Sequence, residues 1–510
     1  MNNKQRLGLL VIISTLIRLV LANFTDLGND EVYYWTYAKF PDWSHFDHPP
    51  MVGFFQQIFS LNLLFDSELA LRLGFVVAGS LSTILLYLIG REIKDEKTGL
   101  IAAVLYNTSI YGFIISGLFI MPDGPLVLFW MSSCLFFLKF LKSNEKKKQQ
   151  GLLMLSMLFA ALAIYSKYQG VYLLFGYGLY ILFFRRDLLK NASVYLSLGF
   201  SVLVLFIIFY WNYVNSFSGM SYHSERVTLF SLDFNLDTFL REFLGQIAYN
   251  NPYNYIVILL AVFSFKRKRF LEQHHFYFFL LISVPLIATT LFFSLYRDTL
   301  PHWSGVSFLS LAVLAAANLS ERKNTPVLRF VLFFFFGLYL IALGIVNKGW
   351  FIDMKVNDQS EKVKLGKNDP TLDMYGWDQT KVVLEQLHNE DPQLATIPLV
   401  SNKWYPGSHL YYYVAAPLEK DLFVLGFMND MHKYYWINQT MSPLQAGQDG
   451  IYITYSRNFK DPKRTMADYF EDAKLIKEFP IERSGKTVEY GFVYLLQSYK
   501  MTNLEGGTKE

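Results

Sequence analysis

Two adjacent carboxylates, Asp30 and Glu31, open the run GNDEVYYWTYAKFPDWSHFDHPP (28–50), with Tyr33, Tyr34 and Trp35 directly behind them. A carboxylate in such a setting can take a proton from an acceptor hydroxyl, an effect worth roughly 10²–10⁴ in rate when it is well placed. The same pair also fits a plain helix start, Asp30 as N-cap and Glu31 as a first-turn acid. Asp47-His48-Pro49-Pro50 closes the run, and the prolines restrict the backbone at and before them, so His48 is held extended. His45, Asp47 and His48 are three N/O donors within four residues, a set that could hold a divalent metal. Asp123 sits between prolines in MPDGP (121–125), either a second working acid or the N-cap of the next helix. Lys167 in YSKYQG (165–170), and Arg297 and His302 in YRDTLPHW (296–303), supply cations in similar short turns, where a lysine could also simply snorkel. The loop 216–250 adds Tyr222, His223, Glu225 and Arg226. Acids for base work together with cations for a departing phosphate point to a phosphate-bearing substrate.

The elements that carry these turns are apolar. The hydrophobic fraction is 53% and the aromatic fraction 18% over 510 residues, more than one soluble core absorbs. Runs long enough for about 30 Å of hydrocarbon fall near 7–23, 69–89, 99–119, 124–141, 151–165, 168–184, 192–215, 252–265, 273–295, 303–319 and 327–347. The first lacks a small-x-small cleavage site and is read as a retained helix. With the N-terminus inside, inner connections carry twenty Lys and Arg and outer ones five, so the positive-inside rule fixes the orientation. Every residue singled out above then shares the outer, non-cytoplasmic face. The net charge of +4, dispersed over short loops, gives no nucleic-acid footprint. The single cysteine, Cys134, lies in an apolar run, which excludes a disulfide framework and a thiolate metal site.

From about 348 the composition turns polar, with one helical stretch (378–390) and strand-like runs TIPLVS, DLFVLGF, GIYITYS and YGFVYLLQS. The expected organisation is a polytopic α-helical membrane domain of about eleven transmembrane helices over 1–347, including a first outer loop at 24–68. A soluble extracytoplasmic α/β domain over 348–510 follows and roofs the outer turns. The protein is expected in the inner or plasma membrane, multi-pass, with membrane lipid as its surroundings.

The pieces DEVYYW (30–35), DHPP (47–50), MPDGPLVLFW (121–130), YSKYQGV (165–171), LPHW (300–303), YGWDQ (375–379) and NKWYPGSHLYYYVA (402–415) occur in an order that resembles a known family. It is that of the GT-C glycosyltransferases of family 39, the dolichyl-phosphate-mannose-protein mannosyltransferase-like enzymes, among them the lipid A aminoarabinose transferase. The resemblance implies a GT-C fold and a polyprenyl-phosphate-linked sugar donor. It further implies inverting transfer to a lipid, glycan or protein acceptor in the cell envelope. Carried over by position, Asp30 matches the catalytic carboxylate, accompanied by Glu31, and Asp123 a second acid. His48, Lys167, Arg297, His302, Tyr33 and Tyr34 fall to the donor phosphate and substrate. In the aminoarabinose branch the residue before the double proline is a phosphate-binding lysine; His48 stands there, a departure that argues against that branch. No cofactor is implied, and a divalent metal stays open. Two other classes compete: a transporter or flippase of a lipid-linked sugar, which calls for repeats and mid-membrane polar groups, and a non-catalytic assembly protein.

Overall fold

The protein is described by a computed structural model covering residues 1–227, 233–322, 325–350 and 359–501. The side chains of His223, Glu225 and Arg226 lie outside this description. The helices run α1 (Asn3–Phe24), α2 (Asn29–Lys39), α3 (Met51–Phe59), α4 (Glu68–Ile93), α5 (Glu96–Thr108), α6 (Asp123–Lys142), α7 (Lys146–Ser166) and α8 (Val171–Phe184). They continue as α9 (Ala192–Val214), α10 (Ser218–Val227), α11 (Leu236–Asn250), α12 (Pro252–Ser264), α13 (Gln273–Ser294), α14 (Gly305–Ser320) and α15 (Thr325–Lys348).

Among the described residues eight helices are long and apolar enough to cross a membrane, and two shorter apolar helices cover Tyr168–Phe184 and Pro252–Ser264. The run expected as one span over 99–119 is broken. Helix α5 stops at Thr108 and the chain continues in a wide turn, Tyr111–Ile115, in which the Ser116 amide reaches back five residues to the Tyr111 carbonyl at 2.8 Å. Such a turn displaces a side chain from the helical register and often marks a working position.

The chain divides into two compact units. One comprises Met1–Asn23 with Pro41–Tyr339, the other Phe24–Phe40 with Leu340–Glu510. The first loop is therefore split. Helix α2 belongs with the C-terminal unit, whereas Pro41–Pro50 belongs with the membrane helices.

In the membrane unit, α14 is buried along its whole length, and Ala315, Ala316 and Ala317 let neighbouring helices approach it closely. Phe137, Tyr177 and Phe278 stack at 4.2 and 5.6 Å between α6, α8 and α13. The Tyr177 hydroxyl meets the Ser133 hydroxyl at 2.9 Å, giving that polar group a partner inside the apolar core. Arg18 is fully buried in α1. Its Nε donates to the Phe113 carbonyl and its Nη2 to Asn107 Oδ1, both at 3.2 Å, and its guanidinium lies 4.1 Å from the Phe113 ring centre.

In the C-terminal unit five strands, β1 (Leu399–Ser401), β2 (Leu422–Val424), β3 (Gly450–Tyr455), β4 (Phe470–Arg483) and β5 (Lys486–Tyr499), form one sheet in the order β2-β1-β3-β5-β4. The first three are parallel; β5 runs antiparallel to β3 and β4. Ser484 and Gly485, both at positive φ, make the β4–β5 hairpin turn. Helices α16 (Trp377–Glu390) and α17 (Trp404–Leu410) join them, the latter running into a second wide turn, Tyr411–Ala415. The strand-like runs named from the sequence contain β1, β2 and β3, and the fourth covers most of β5. Strand β4, FEDAKLIKEFPIER, escaped notice because its many charged, exposed positions hide the period-2 pattern.

Candidate functional site

Asp123 is the first residue of α6, behind Pro122, but its carboxylate does not cap the helix. It is fully buried and fully engaged: Oδ1 accepts the Tyr111 hydroxyl at 2.8 Å and Oδ2 pairs with Lys167 Nζ at 2.7 Å. Lys167 ends α7 in an extended conformation and is itself buried, so it does not snorkel. The turn behind it is tight: a Cβ on Gly170 would lie 2.5 Å from the Ala163 backbone. Tyr111 reaches Asp123 because it sits on the wide turn after α5 and because Gly305 leaves room for its ring, 2.4 Å from where a Cβ would stand. His302, in the turn before α14, interacts electrostatically with both Asp123 and Lys167. Four elements thus converge at one end of the helical unit: the start of α6, the end of α7, the turn after α5 and the turn before α14.

That last turn has a support the sequence did not disclose. Glu242 of α11 is fully buried, and its oxygens accept Thr299 Oγ1 and Gln246 Nε2, each at 2.8 Å. Thr299 is three residues before His302, so α11 fixes the turn that carries the histidine. Gly245 lets Pro301 approach, its absent Cβ lying only 2.2 Å from the proline ring. Glu242 and Tyr111 carried no sequence signal, because each looks like one residue of an ordinary helix.

The segment 41–50 packs on the ends of α7 and α9. Tyr165 donates to the Trp43 carbonyl at 2.9 Å, and Trp211 Nε1 donates to Asp42 Oδ2 at 2.7 Å. The His45 amide bonds the His48 carbonyl at 3.2 Å, closing the turn before Pro49; His45 and Asp47 are buried and His48 is half-buried. Arg297 lines an open cleft of about 530 Å³ with Asp233, Asn235, Asp237 and Tyr296, a lining that includes none of Asp123, Lys167 and His302. His45, Asp47 and His48 do not meet as a metal-binding group. Among the described residues the one such trio is Glu272, His274 and His275, with ligand atoms within 4.8 Å of one another. It lies at the opposite end of α13 from Thr299, directly after the cationic run Lys266–Arg269.

In the C-terminal unit, Asp30 is exposed on the first turn of α2, while Glu31 is buried and its Oε2 accepts the Gly28 amide at 2.8 Å. Glu31 thereby closes the reciprocal half of a helix-start motif. Tyr33 and Tyr34, expected at the substrate, are buried. The Tyr33 ring packs 5.1 Å from Trp404, and its hydroxyl accepts the Lys433 amide at 3.4 Å. Trp35 packs against Tyr411 and Tyr412 at 5.4 and 5.1 Å. Helix α2 is held by aromatic burial on nearly every side, which is why its sequence lacks a polar face.

The family described as dolichyl-phosphate-mannose-protein mannosyltransferase matches residues 47–211, a stretch that contains His48, Asp123 and Lys167. Two solved structures of ArnT from Cupriavidus metallidurans share the fold over nearly the whole chain. The apo form covers 95% of this chain and 97% of that one with a TM-score of 0.60, and the form bound to undecaprenyl phosphate covers 98% and 99% with a TM-score of 0.58, both at 14% identity. The likeness to these structures is one of fold. With eight helices among the described residues long and apolar enough to cross a membrane, the chain is a multi-pass membrane protein. The lipid A galacturonosyltransferase RgtD of Rhizobium johnstonii is 22% identical over 317 residues, which is 61% of this chain and 65% of that relative's length.

Proposed function

We propose that the protein is an inverting glycosyltransferase that moves a sugar from a polyprenyl-phosphate-linked donor to a cell-envelope acceptor on the outer face of the membrane. The observation that carries this reading is the family match over 47–211, since it encloses His48 and the buried Asp123–Lys167 pair. The galacturonosyltransferase acting on lipid A and the ArnT structure with undecaprenyl phosphate support a lipid-linked donor and an envelope acceptor. The N-terminus is cytoplasmic and the C-terminal unit extracytoplasmic, on the Lys/Arg asymmetry of the loops.

Asp30, exposed at the start of α2, takes the proton of the acceptor hydroxyl. The resulting oxygen attacks the anomeric carbon from the face opposite the phosphate. The bond from that carbon to the phosphate oxygen breaks, and the polyprenyl phosphate leaves with the electron pair. Charge on the departing phosphate falls to His48, His302 and Arg297. Lys167 is already neutralised by Asp123, so the pair, with Tyr111, serves as a fixed polar wall rather than as a free phosphate cation.

The test is mass spectrometry of envelope glycolipids and glycans from a deletion strain carrying the wild-type gene or the Asp30→Asn variant. The wild type restores a hexose- or pentose-modified species; the variant, present in the membrane at equal level, lowers it by about 10²-fold or more. Near-normal product from Asp30→Asn sinks the base assignment, and an unchanged envelope in the deletion strain sinks the glycosyltransferase reading.

A further inference from the structure

The three residues ahead of α2 are each tied by their backbone or side chain, and most of the ties come from far along the chain. The Asp26 carboxylate accepts the Gly376 amide at 3.1 Å. The Leu27 amide donates to the Tyr413 hydroxyl at 2.6 Å, and the Leu27 carbonyl faces His409 Nε2 at 3.1 Å. The Gly28 amide is taken by Glu31. Helix α2 begins one residue later, and Asp30 is its second residue.

We propose that the C-terminal unit sets the position of Asp30 through this clamp on Leu27, with His409 and Tyr413 as positioning residues. The proposal rests on the reading of Asp30 as the base. Both groups stand where α17 passes into the wide turn Tyr411–Ala415, four residues apart, with their rings nearly parallel at 6.2 Å. Carbonyl oxygens of Leu27 and Asp373 both face Nε2 at 3.1 Å, so that nitrogen carries the proton and His409 acts as a donor. Its ring stacks on Trp377 at 3.9 Å, and Trp377 Nε1 donates to the same Asp373 carbonyl. Asp373 is held in turn by Arg457, Nη1 to Oδ1 at 2.8 Å. Burial pushes the His409 imidazole down to about 3, so the donor stays neutral across the working pH range. A buried ring with one orientation, backed by an ion pair, holds a backbone carbonyl far more narrowly than an isolated loop could. The consequence is a carboxylate that is exposed at its tip and immobile at its root, as a general base requires.

The experiment uses the full-length protein in detergent with His409→Leu, His409→Gln and Tyr413→Phe. Hydrogen exchange over residues 26–31 reads the clamp, product formation in the deletion strain reads transfer, and binding of undecaprenyl phosphate reads the donor side. His409→Leu is expected to speed exchange at 26–31 about fivefold or more. It should also lower transfer between about ten- and a hundredfold while undecaprenyl phosphate binding stays within about twofold. His409→Gln, which keeps an N–H donor, restores both readouts in large part. Tyr413→Phe, which deletes one oxygen, gives the milder form of the same pattern should His409→Leu fail to fold. Faster exchange with wild-type transfer overturns the positioning role, as does lost transfer with unchanged exchange. Normal transfer by Asp30→Asn alone refutes the base assignment while leaving the clamp to be judged by exchange.

Discussion

Asp123 and Lys167 show how a residue's environment decides its meaning. Either could have been a routine feature, a helix cap or a snorkelling cation, and both turn out buried with the other as partner at 2.7 Å. Removing one member of a buried pair leaves an uncompensated charge and costs about 3–5 kcal/mol, whereas removing both together is close to neutral. Asp123→Asn and Lys167→Met are therefore each expected to lower the thermal midpoint of the purified protein sharply, and Asp123→Leu with Lys167→Met to recover most of the loss. Additive losses in the double variant would break the pairing argument. Glu489 supplies a second residue-scale expectation. Burial, with Asp373 and Asp369 nearby, pushes its carboxyl up to about 7 against the pull of Arg457 at 3.1 Å. A raised acid binds more protons folded than unfolded between about 4.5 and 7, so its contribution to stability is full at low pH and is lost as pH rises through 7. Thermal unfolding should show wild type losing more stability than Glu489→Gln between pH 5 and pH 8; equal losses would remove Glu489 as the cause.

At the scale of elements, the site is built from helix ends brought together by glycines and by a break in helix regularity. The wide turn after α5 delivers Tyr111 to Asp123, and Gly305 at the start of α14 makes room for its ring. Gly305→Ala forces its Cβ to within 2.4 Å of that ring, an overpacking expected to cost about 1–3 kcal/mol. It should also release the Tyr111–Asp123 bond, which thermal unfolding and sugar transfer together can check. Most helices were legible from their apolar runs, and the caps explain their starts: Ser67, Asp95 and Asn191 each accept a first-turn amide. The break at Ser109 was not legible, because a wide turn keeps the same apolar composition as the helix it interrupts. Strand β4 was missed for the opposite reason, a charged surface masking a paired strand.

For the molecule as a whole, the twenty-to-five asymmetry of Lys and Arg is the basis for sidedness. Cys134 is buried, so it leaves a clean background for introduced cysteines. Ser484→Cys in the β4–β5 turn should react with a membrane-impermeant maleimide on intact cells, and Lys147→Cys only after permeabilisation; the reverse pattern would invert the topology. The division into two units also differs from a cut at 347/348. Helix α2, with Asp30, folds with Leu340–Glu510 although some three hundred residues separate them in sequence. Local composition could not announce that, since an aromatic helix carries no mark of which distant surface will bury it.

The sequence by itself determined that the chain crosses the membrane repeatedly and which acids and cations occupy the turns, because hydropathy and short motifs are local properties. Only the tertiary structure decided that Asp123 and Lys167 neutralise each other and that Glu242 braces the turn of His302. It also decided that Tyr33 and Tyr34 are buried and that His409 and Tyr413 contact the backbone of Leu27, ahead of Asp30. Those are pairings between residues tens to hundreds of positions apart, and they exist only where the fold removes the groups from water and leaves each one a single partner.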